Sequence, residues 1–408
     1  MISFDSFHTR RWYRVAASFF FFVQGITFAS WASRIPDIKN LLGLSTGELG
    51  AVLFAMPMGQ LSAMALSGYL VSRYGSKKML TVAALVYPTA LVGLGTVGTV
   101  WQLAIGLYAF GITGNLINIS INTQGVGVER LYGRSIMASF HGIWSLAGFI
   151  GGLLSTVVVG YGITPLRHFL MVYAFALVVL LSFKNTLLPR DMVRREGSGP
   201  ARIFARPDRF IALLGLIVFA SMICEGAMFN WSSIYFEEVI KPNENLIRLG
   251  YIAFMSTMAL GRLTADRIVN RLGIVTMLRA SSLLLVSGFM LAVLVPTLVS
   301  ATIGFLMIGF GTSSVVPLCY GMAGKSKKLL PGIALATVST IGFMGFLIGP
   351  PVIGFVADML SLQWSFALVA VLSLIPLAVA PKLMVYVQQT TQDEAKARID
   401  EIKRARRA

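Results

Sequence analysis

Charge is what this sequence has least of. Of its 408 residues, 12% are Asp, Glu, Lys or Arg while 56% are hydrophobic, and soluble domains carry about 25% charged residues. A soluble globule is excluded, because so much apolar surface cannot be hidden in one core. Cysteine is nearly absent as well. Cys224 and Cys319 both fall inside apolar runs, which supports neither a disulfide framework nor a zinc site and leaves each as a small packing residue. There are only 3 His and no dense set of nucleophile partners, so an enzyme is not expected, and no metal or other cofactor. No Gly-rich phosphate loop with a Walker-type lysine occurs, which disfavours an ATP-driven pump.

What is present is length. A helix needs about 20 apolar residues to cross a bilayer, and twelve such runs follow one another, the first over 14–33 and the last over 364–386. Arg10, Arg11 and Arg14 precede the first run and no small-residue cleavage site follows it, so it reads as a retained span rather than a removed signal peptide. The net charge of +17 calls for no nucleic acid. Of the 34 Lys and Arg residues, 28 fall in the tails and alternate connections and five in the other connections, which by the positive-inside rule predicts both termini in the cytoplasm. The expected setting is a multi-pass protein of a bacterial inner membrane, with the lipid bilayer as its surroundings and a monomer as its assembly.

The longest polar insert, 188–209, carries Gly197-Ser198-Gly199-Pro200 and reads as a cytoplasmic linker. It divides the chain into a six-helix bundle over 1–187 and another over 210–386, followed by a cytoplasmic tail over 387–408. In that tail Thr391 and Glu394 have capping-box spacing and Glu394 precedes Arg398 by four, which predicts a solvated surface helix. Ser72-Arg73-Tyr74-Gly75 recurs as Asn270-Arg271-Leu272-Gly273, and Met58-Gly59-Gln60-Leu61 matches Leu260-Gly261-Arg262-Leu263 with a spacing one helical turn different. Two weak matches in equivalent runs support an internal repeat.

Gly68-Tyr69-Leu70-Val71-Ser72-Arg73-Tyr74-Gly75-Ser76-Lys77-Lys78 resembles the signature G-x-x-x-D-R-x-G-R-K of the major facilitator superfamily, with Ser72 at the acidic position. That neutral residue, and Asn270 in the second copy, leave out the carboxylate latch the family uses on its cytoplasmic side. Within the superfamily, Ala29-Ser30-Trp31-Ala32-Ser33-Arg34, His141-Gly142-Ile143-Trp144-Ser145-Leu146, Cys224-Glu225-Gly226 with Asn230-Trp231, and Gly349-Pro350-Pro351 are similar to the MosC-like bacterial branch, the rhizopine permease group. The resemblance implies an all-α membrane fold of twelve helices in two pseudo-symmetric six-helix bundles, with a central cavity opened alternately to each side.

Polar residues inside the apolar runs are the candidate site, because an ionisable group costs roughly 2.5–3.5 kcal/mol even on the lenient insertion scale. Glu225 and Arg262 stand out. Glu225 is placed near the midplane, where a carboxyl can be neutral in one conformation and ionised in another, as proton coupling requires. Other readings are contact with an amine on the substrate and a structural hydrogen bond. Asn230 reaches the same cavity only if the helix distorts near Gly226. Arg262 is an anion contact or a gate, with Asp266 one turn on as an ordinary ion-pair partner. Asn115, Asn118 and Asn122 fall on one helix face and offer donors and acceptors together, which suits a polyhydroxylated ligand; hydrogen bonding between packed helices is the alternative. Gln24 and Trp31 in the first run, and His141 and Trp144 in the fifth, complete the substrate-binding set. Arg34 reads as an outer gate. Gly148 and Gly152 form a small-residue packing ridge. Gly349, Pro350 and Pro351 form a candidate hinge, since proline at membrane depth removes a helix hydrogen bond.

The function expected is secondary active transport of a small polar solute, a sugar, cyclitol or amino-sugar-like compound, coupled to protons by alternating access. The fifth run lacks the proline of the family's antiporter signature, which favours symport. A proton-coupled efflux antiporter for drugs or amphiphiles is the rival carrier reading, and a non-transporting sensor or scaffold the rival from another class.

Overall fold

The computed structural model describes residues 7–133, 136–189, 191, 208–324, 326, 329 and 331–383, without the side chains of 7–9, 266, 331 and 332. The tail helix expected over 391–405 and most of the 188–209 linker therefore lie outside the described residues. All regular structure among the described residues is helical. Among the described residues twelve segments are long and apolar enough to cross a membrane, in chain order Arg10–Leu42, Thr46–Tyr74, Ser76–Leu94, Val100–Tyr132, Met137–Gly160, Pro165–Thr186, Arg209–Ile240, Glu244–Ala265, Ile274–Leu294, Leu298–Ala323, Ile333–Met359 and Leu362–Leu383. Twelve successive crossings bring the start of the first span and the end of the twelfth to one side, the terminal side; the opposite side is the far side.

Several helices outrun their apolar runs. The first continues past residue 33 to Leu42, breaking its regular hydrogen bonding only around Arg34 before Pro36. Proline at the start of a helical stretch costs nothing, because that N–H has no helical partner anyway. The polar extension carries Asp37, Lys39 and Asn40 beyond the apolar run to contacts with Arg248, Glu238 and Glu237 of the other half. The seventh span likewise ends in a π turn, Phe236–Ile240.

The repeat is visible in backbone geometry. Gly75, between the second and third spans, has φ 85° and ψ 148°, and Gly273, between the eighth and ninth, has φ 79° and ψ 157°. That left-handed region is open to glycine at little cost. The match upstream needs correction. Gly111 packs on the Met56 carbonyl and Gly309 on the Phe254 carbonyl, while Gly59 meets the Tyr108 carbonyl and Thr257 bonds to that of Leu306. Each pair is related by one constant shift, the one that relates Gly75 to Gly273, so no turn is lost between the matched pieces. Aligning Gly59 with Gly261 placed the second copy one helical turn too far on.

An acid from farther along the chain reaches the corner after Ser72. Asp191, at the start of the linker, accepts hydrogen bonds from the backbone N–H (2.8 Å) and hydroxyl of Ser76 at the N-terminus of the third span. Gln124 clamps the same corner, donating to Ser76 Oγ (2.7 Å) and the Leu188 carbonyl (3.1 Å) and accepting from the Leu188 N–H (2.9 Å). These contacts stay within the first half. The core is shared unequally between the two sides. Trp31, Ile35 and Ile38 of the first half pack in one cluster with Trp231, Tyr235 and Phe366 of the second, while Ile211, Leu214, Leu278, Cys319 and Leu383 form a separate cluster near the terminal side.

Candidate functional site

Between the halves lies a cavity of about 430 Å³ whose lining comes from the first, second, third, fourth, fifth, seventh, eighth, tenth and eleventh spans. Seven of the residues singled out from sequence meet there: Gln24, Asn115, Asn118, His141, Trp144, Glu225 and Arg262. The first half supplies the amides. Gln24 Nε2 donates to Asn118 Oδ1 at 3.4 Å, and Asn115 is buried with its Oδ1 unpartnered. His141 faces the cavity with its ring edge-on to Phe21, 5.6 Å between centroids.

The second half supplies the charge. Glu225 lies on the unbroken helix Arg209–Tyr235, and Arg262 Nη2 stands 4.0 Å from its Oε1, an ion pair without a hydrogen bond. Arg262 also crosses to the first half, donating from Nη1 to Ser145 Oγ at 2.8 Å, with its guanidinium 5.6 Å from the centre of the Trp144 ring. Stacked guanidinium and indole attract through the ring quadrupole. The far end of the cavity is aromatic: Phe28, Trp144 and Phe229 approach pairwise at 5.2–6.0 Å between centroids, and Phe229 packs on Phe254.

Other candidates sit elsewhere. Trp31 is in the core, 1% exposed, because the first span turns that face onto its neighbours. Asn122 is spent within its own helix, donating to the Asn118 carbonyl (2.8 Å) and Oδ1 (3.0 Å). Asn230 is spent the same way on the Gly226 carbonyl at 2.9 Å, so no distortion brings it to Glu225. The Asp266 side chain lies outside the described residues. Missed from sequence were Gln60, Met64, Tyr320 and Ser339, the last two joined by a 3.1 Å hydrogen bond. A single polar residue near the terminal side of a span is unremarkable in sequence, and the match that set Gln60 opposite Arg262 was one helical turn out of register; the corrected repeat sets Met64 opposite Arg262.

The model of the Major Facilitator Superfamily matches residues 15–328. The chain belongs to the major facilitator superfamily. This facilitator is 32% identical over 361 residues to an uncharacterised MFS-type transporter of Yersinia pestis, covering 88% of the chain and 93% of the relative. It is 31% identical to the membrane protein MosC of Rhizobium meliloti, covering 85% and 84%, and 24% identical to the 3-(3-hydroxy-phenyl)propionate transporter of Escherichia coli, covering 81% and 83%. Among solved structures, a mutant of the nucleoside transporter NupG is similar at TM-score 0.72 and 16% identity, covering 91% of this chain and 99% of that one. The facilitator is thus a multi-pass membrane transporter and not an enzyme.

On its far side the facilitator's halves are joined by charge. Asp37 receives Arg34 Nη1 at 2.9 Å from its own half and Arg248 Nη2 from the other, and Arg248 Nε donates to the Ser33 carbonyl at 3.1 Å. Arg34 is 2% exposed and also bonds to His168 Nδ1 (3.3 Å) and the Ile163 carbonyl (2.7 Å). Outward of this, Lys39 pairs with Glu238 at 2.8 Å, Asn40 donates to Glu237 at 2.6 Å, and Ser45 donates to Asp358 at 3.0 Å. The second and eleventh spans cross glycine on glycine, Gly50 against Gly354 and the Pro350 carbonyl. Gly349, Pro350 and Pro351 thus lie beside the crossing, inside an unbroken helix Pro331–Met359. Neither Asp37 nor Arg248 was singled out from sequence, since both stand in connections where charge is ordinary.

Proposed function

We propose that this protein carries a small hydroxyl-bearing polar solute of the sugar or cyclitol class by proton-coupled alternating access, with both termini in the cytoplasm and the cavity in the state open to that side. The observation that carries it is Glu225, a carboxylate on the wall of the central cavity within 4.0 Å of Arg262 and without a hydrogen bond to any described residue. Such a group gains or loses a proton according to which side hydrates it. The other titratable groups facing the cavity are Arg262, His141, Tyr87 and Tyr320. Asn115, Asn118 and Gln24 offer the paired donors and acceptors that hydroxyls need. The far-side ion pairs and the aromatic plug support closure on that side, and the Gly349-Pro350-Pro351 segment is the proposed hinge. One relative is named as a 3-(3-hydroxy-phenyl)propionate transporter and one fold neighbour as a nucleoside transporter, which supports the reading at the level of solute size.

The test is uptake into proteoliposomes. A thermal-shift screen of sugars, cyclitols and their amino and acid derivatives supplies a ligand, and its accumulation is followed under an imposed pH gradient. Accumulation is expected with the native chain and lost in Glu225→Gln, with exchange of labelled for unlabelled solute retained. Accumulation equal to native in Glu225→Gln would remove the coupling role.

A further inference from the structure

We infer that the cavity selects solutes bearing one carboxylate on a hydroxylated ring or chain, with the carboxylate seated on Arg262; this deepens the proton-coupled reading above and rests on it. The argument is one of unspent groups. A guanidinium has five N–H donors in a fixed fork. Arg262 spends Nη1 on Ser145 Oγ, and the 4.0 Å gap to Glu225 is too long for a hydrogen bond, so the Nη2 edge faces the cavity without an acceptor among the described residues. Across the same cavity the Asn115 Oδ1 is a buried acceptor without a donor. Buried polar atoms in native structures find partners, and a hydroxy acid provides both kinds: carboxylate oxygens for the fork and O–H groups for the amides. The apolar shelf of Phe28, Trp144 and Phe229 takes the C–H face of the ring.

Charge balance selects the anion over its neutral and cationic counterparts. Glu225 and Arg262 are the acid and the strong base of the lining, so the cavity is balanced while Glu225 is ionised. Once Glu225 takes a proton, Arg262 is a desolvated charge without a counter-ion, which is costly. A neutral solute leaves that imbalance in place and an ammonium doubles it. A carboxylate removes it, and does so with the bidentate geometry that arginine favours. Proton and monoanion then cross together with no net movement of charge.

The inference is tested by calorimetric titration of the purified full-length Glu225→Gln chain, whose amide imitates the protonated carboxyl. The probes are quinate and gluconate as hydroxy acids, myo-inositol as the neutral ring and glucosamine as the amine. At least one acid is expected to bind about tenfold or more tighter than inositol and glucosamine. Adding Arg262→Gln should erase that preference, while Arg262→Lys should retain part of it, and melting midpoints report whether each variant is folded. In liposomes carrying the native chain, uptake of the bound acid should follow the pH gradient and ignore a potential imposed with potassium and valinomycin. Equal or tighter binding of inositol or glucosamine overturns the inference. So does failure of both acids to bind, an acid preference that survives in folded Arg262→Gln, or potential-driven uptake. Gradient-driven accumulation of inositol without binding of either acid would sink the anion site and leave proton coupling standing. Acid binding through Arg262 with no response to the pH gradient would do the reverse.

Discussion

The far-side junction and the central cavity both lie between the same two halves, and they are finished to different degrees. On the far side Asp37 gathers two arginines, and Arg34 has partners in His168, Ile163 and Asp37. In the cavity Arg262 and Glu225 stand 4.0 Å apart without a hydrogen bond, and Asn115 keeps an orphan oxygen. On the far side His168 Nε2 and Glu237 Oε2 are buried without partners too, so the difference lies in the charged pairs: those that hold are hydrogen-bonded within the protein. A contact that serves a passing solute must leave its groups unspent, because each bond already made inside the protein has to be broken before the solute can use it.

The most direct way to break the comparison is to remove the acid that the far side is built around. Asp37→Asn would leave Arg34 and Arg248, 2% and 3% exposed, facing each other with no shared counter-charge. Stripping one partner from a buried ion pair costs about 3–5 kcal/mol, and the lower end applies because Asp37 is 23% exposed. Spin-label distances between residues 41 and 244, across the far-side connections, should shift to a longer population. Asn40→Ala, which removes an exposed contact with Glu237, should leave them unchanged. An unchanged distance distribution in Asp37→Asn would mean that packing, not charge, closes this side.

Sterics provide the next test. A Cβ on Gly354 would lie 2.8 Å from both the Gly50 Cα and the Thr46 carbonyl, so backbone must move apart. Overpacking of this kind costs typically about 1–3 kcal/mol. Gly354→Ala should therefore open the same far-side distances to a smaller extent than Asp37→Asn, with the melting midpoint lowered. Gly68→Ala is the control, since a Cβ there meets nothing within 4 Å. If Gly354→Ala leaves the far side closed, the glycine crossing is not a contact that the halves must make.

Much of this was legible in the chain because lipid imposes a simple rule on sequence. Twelve apolar runs predict twelve spans, and Glu225 and Arg262 stood out because a charge in hydrocarbon has few reasons to be there. The limits have the same origin. Asp37 and Arg248 lie where charge is ordinary, so nothing in the sequence separated this pair from the other charged residues of the connections. Periodicity put Asn122 on the face of Asn115 and Asn118 but could not tell that its amide turns back onto the Asn118 carbonyl. Trp31 was drawn in by the polar spacing of its neighbours, yet its own face packs into the core. The glycine repeat was seen, but short matches fixed its register only after the helix crossings at Gly111 and Gly309 were known.

The smallest expected effect separates amides within one helix. Asn118 faces the cavity; its Oδ1 accepts from Asn122 at 3.0 Å and from Gln24 at 3.4 Å, the latter near the long limit for a hydrogen bond, so a solute can displace the Gln24 contact at little cost and accept from the Asn118 Nδ2. Asn122 makes two shorter bonds to its own helix and has less left to offer. Asn118→Ala should weaken binding of the solute found by thermal shift by about two- to tenfold, the worth of one net hydrogen bond. Asn122→Ala should change the affinity by less than that, leaving chiefly a loosened turn around Asn118. The two variants differ by one turn of helix and remove the same atoms. Equal losses of affinity would mean that the amides act as a packed stripe, and that unspent hydrogen-bonding capacity does not mark where the solute binds.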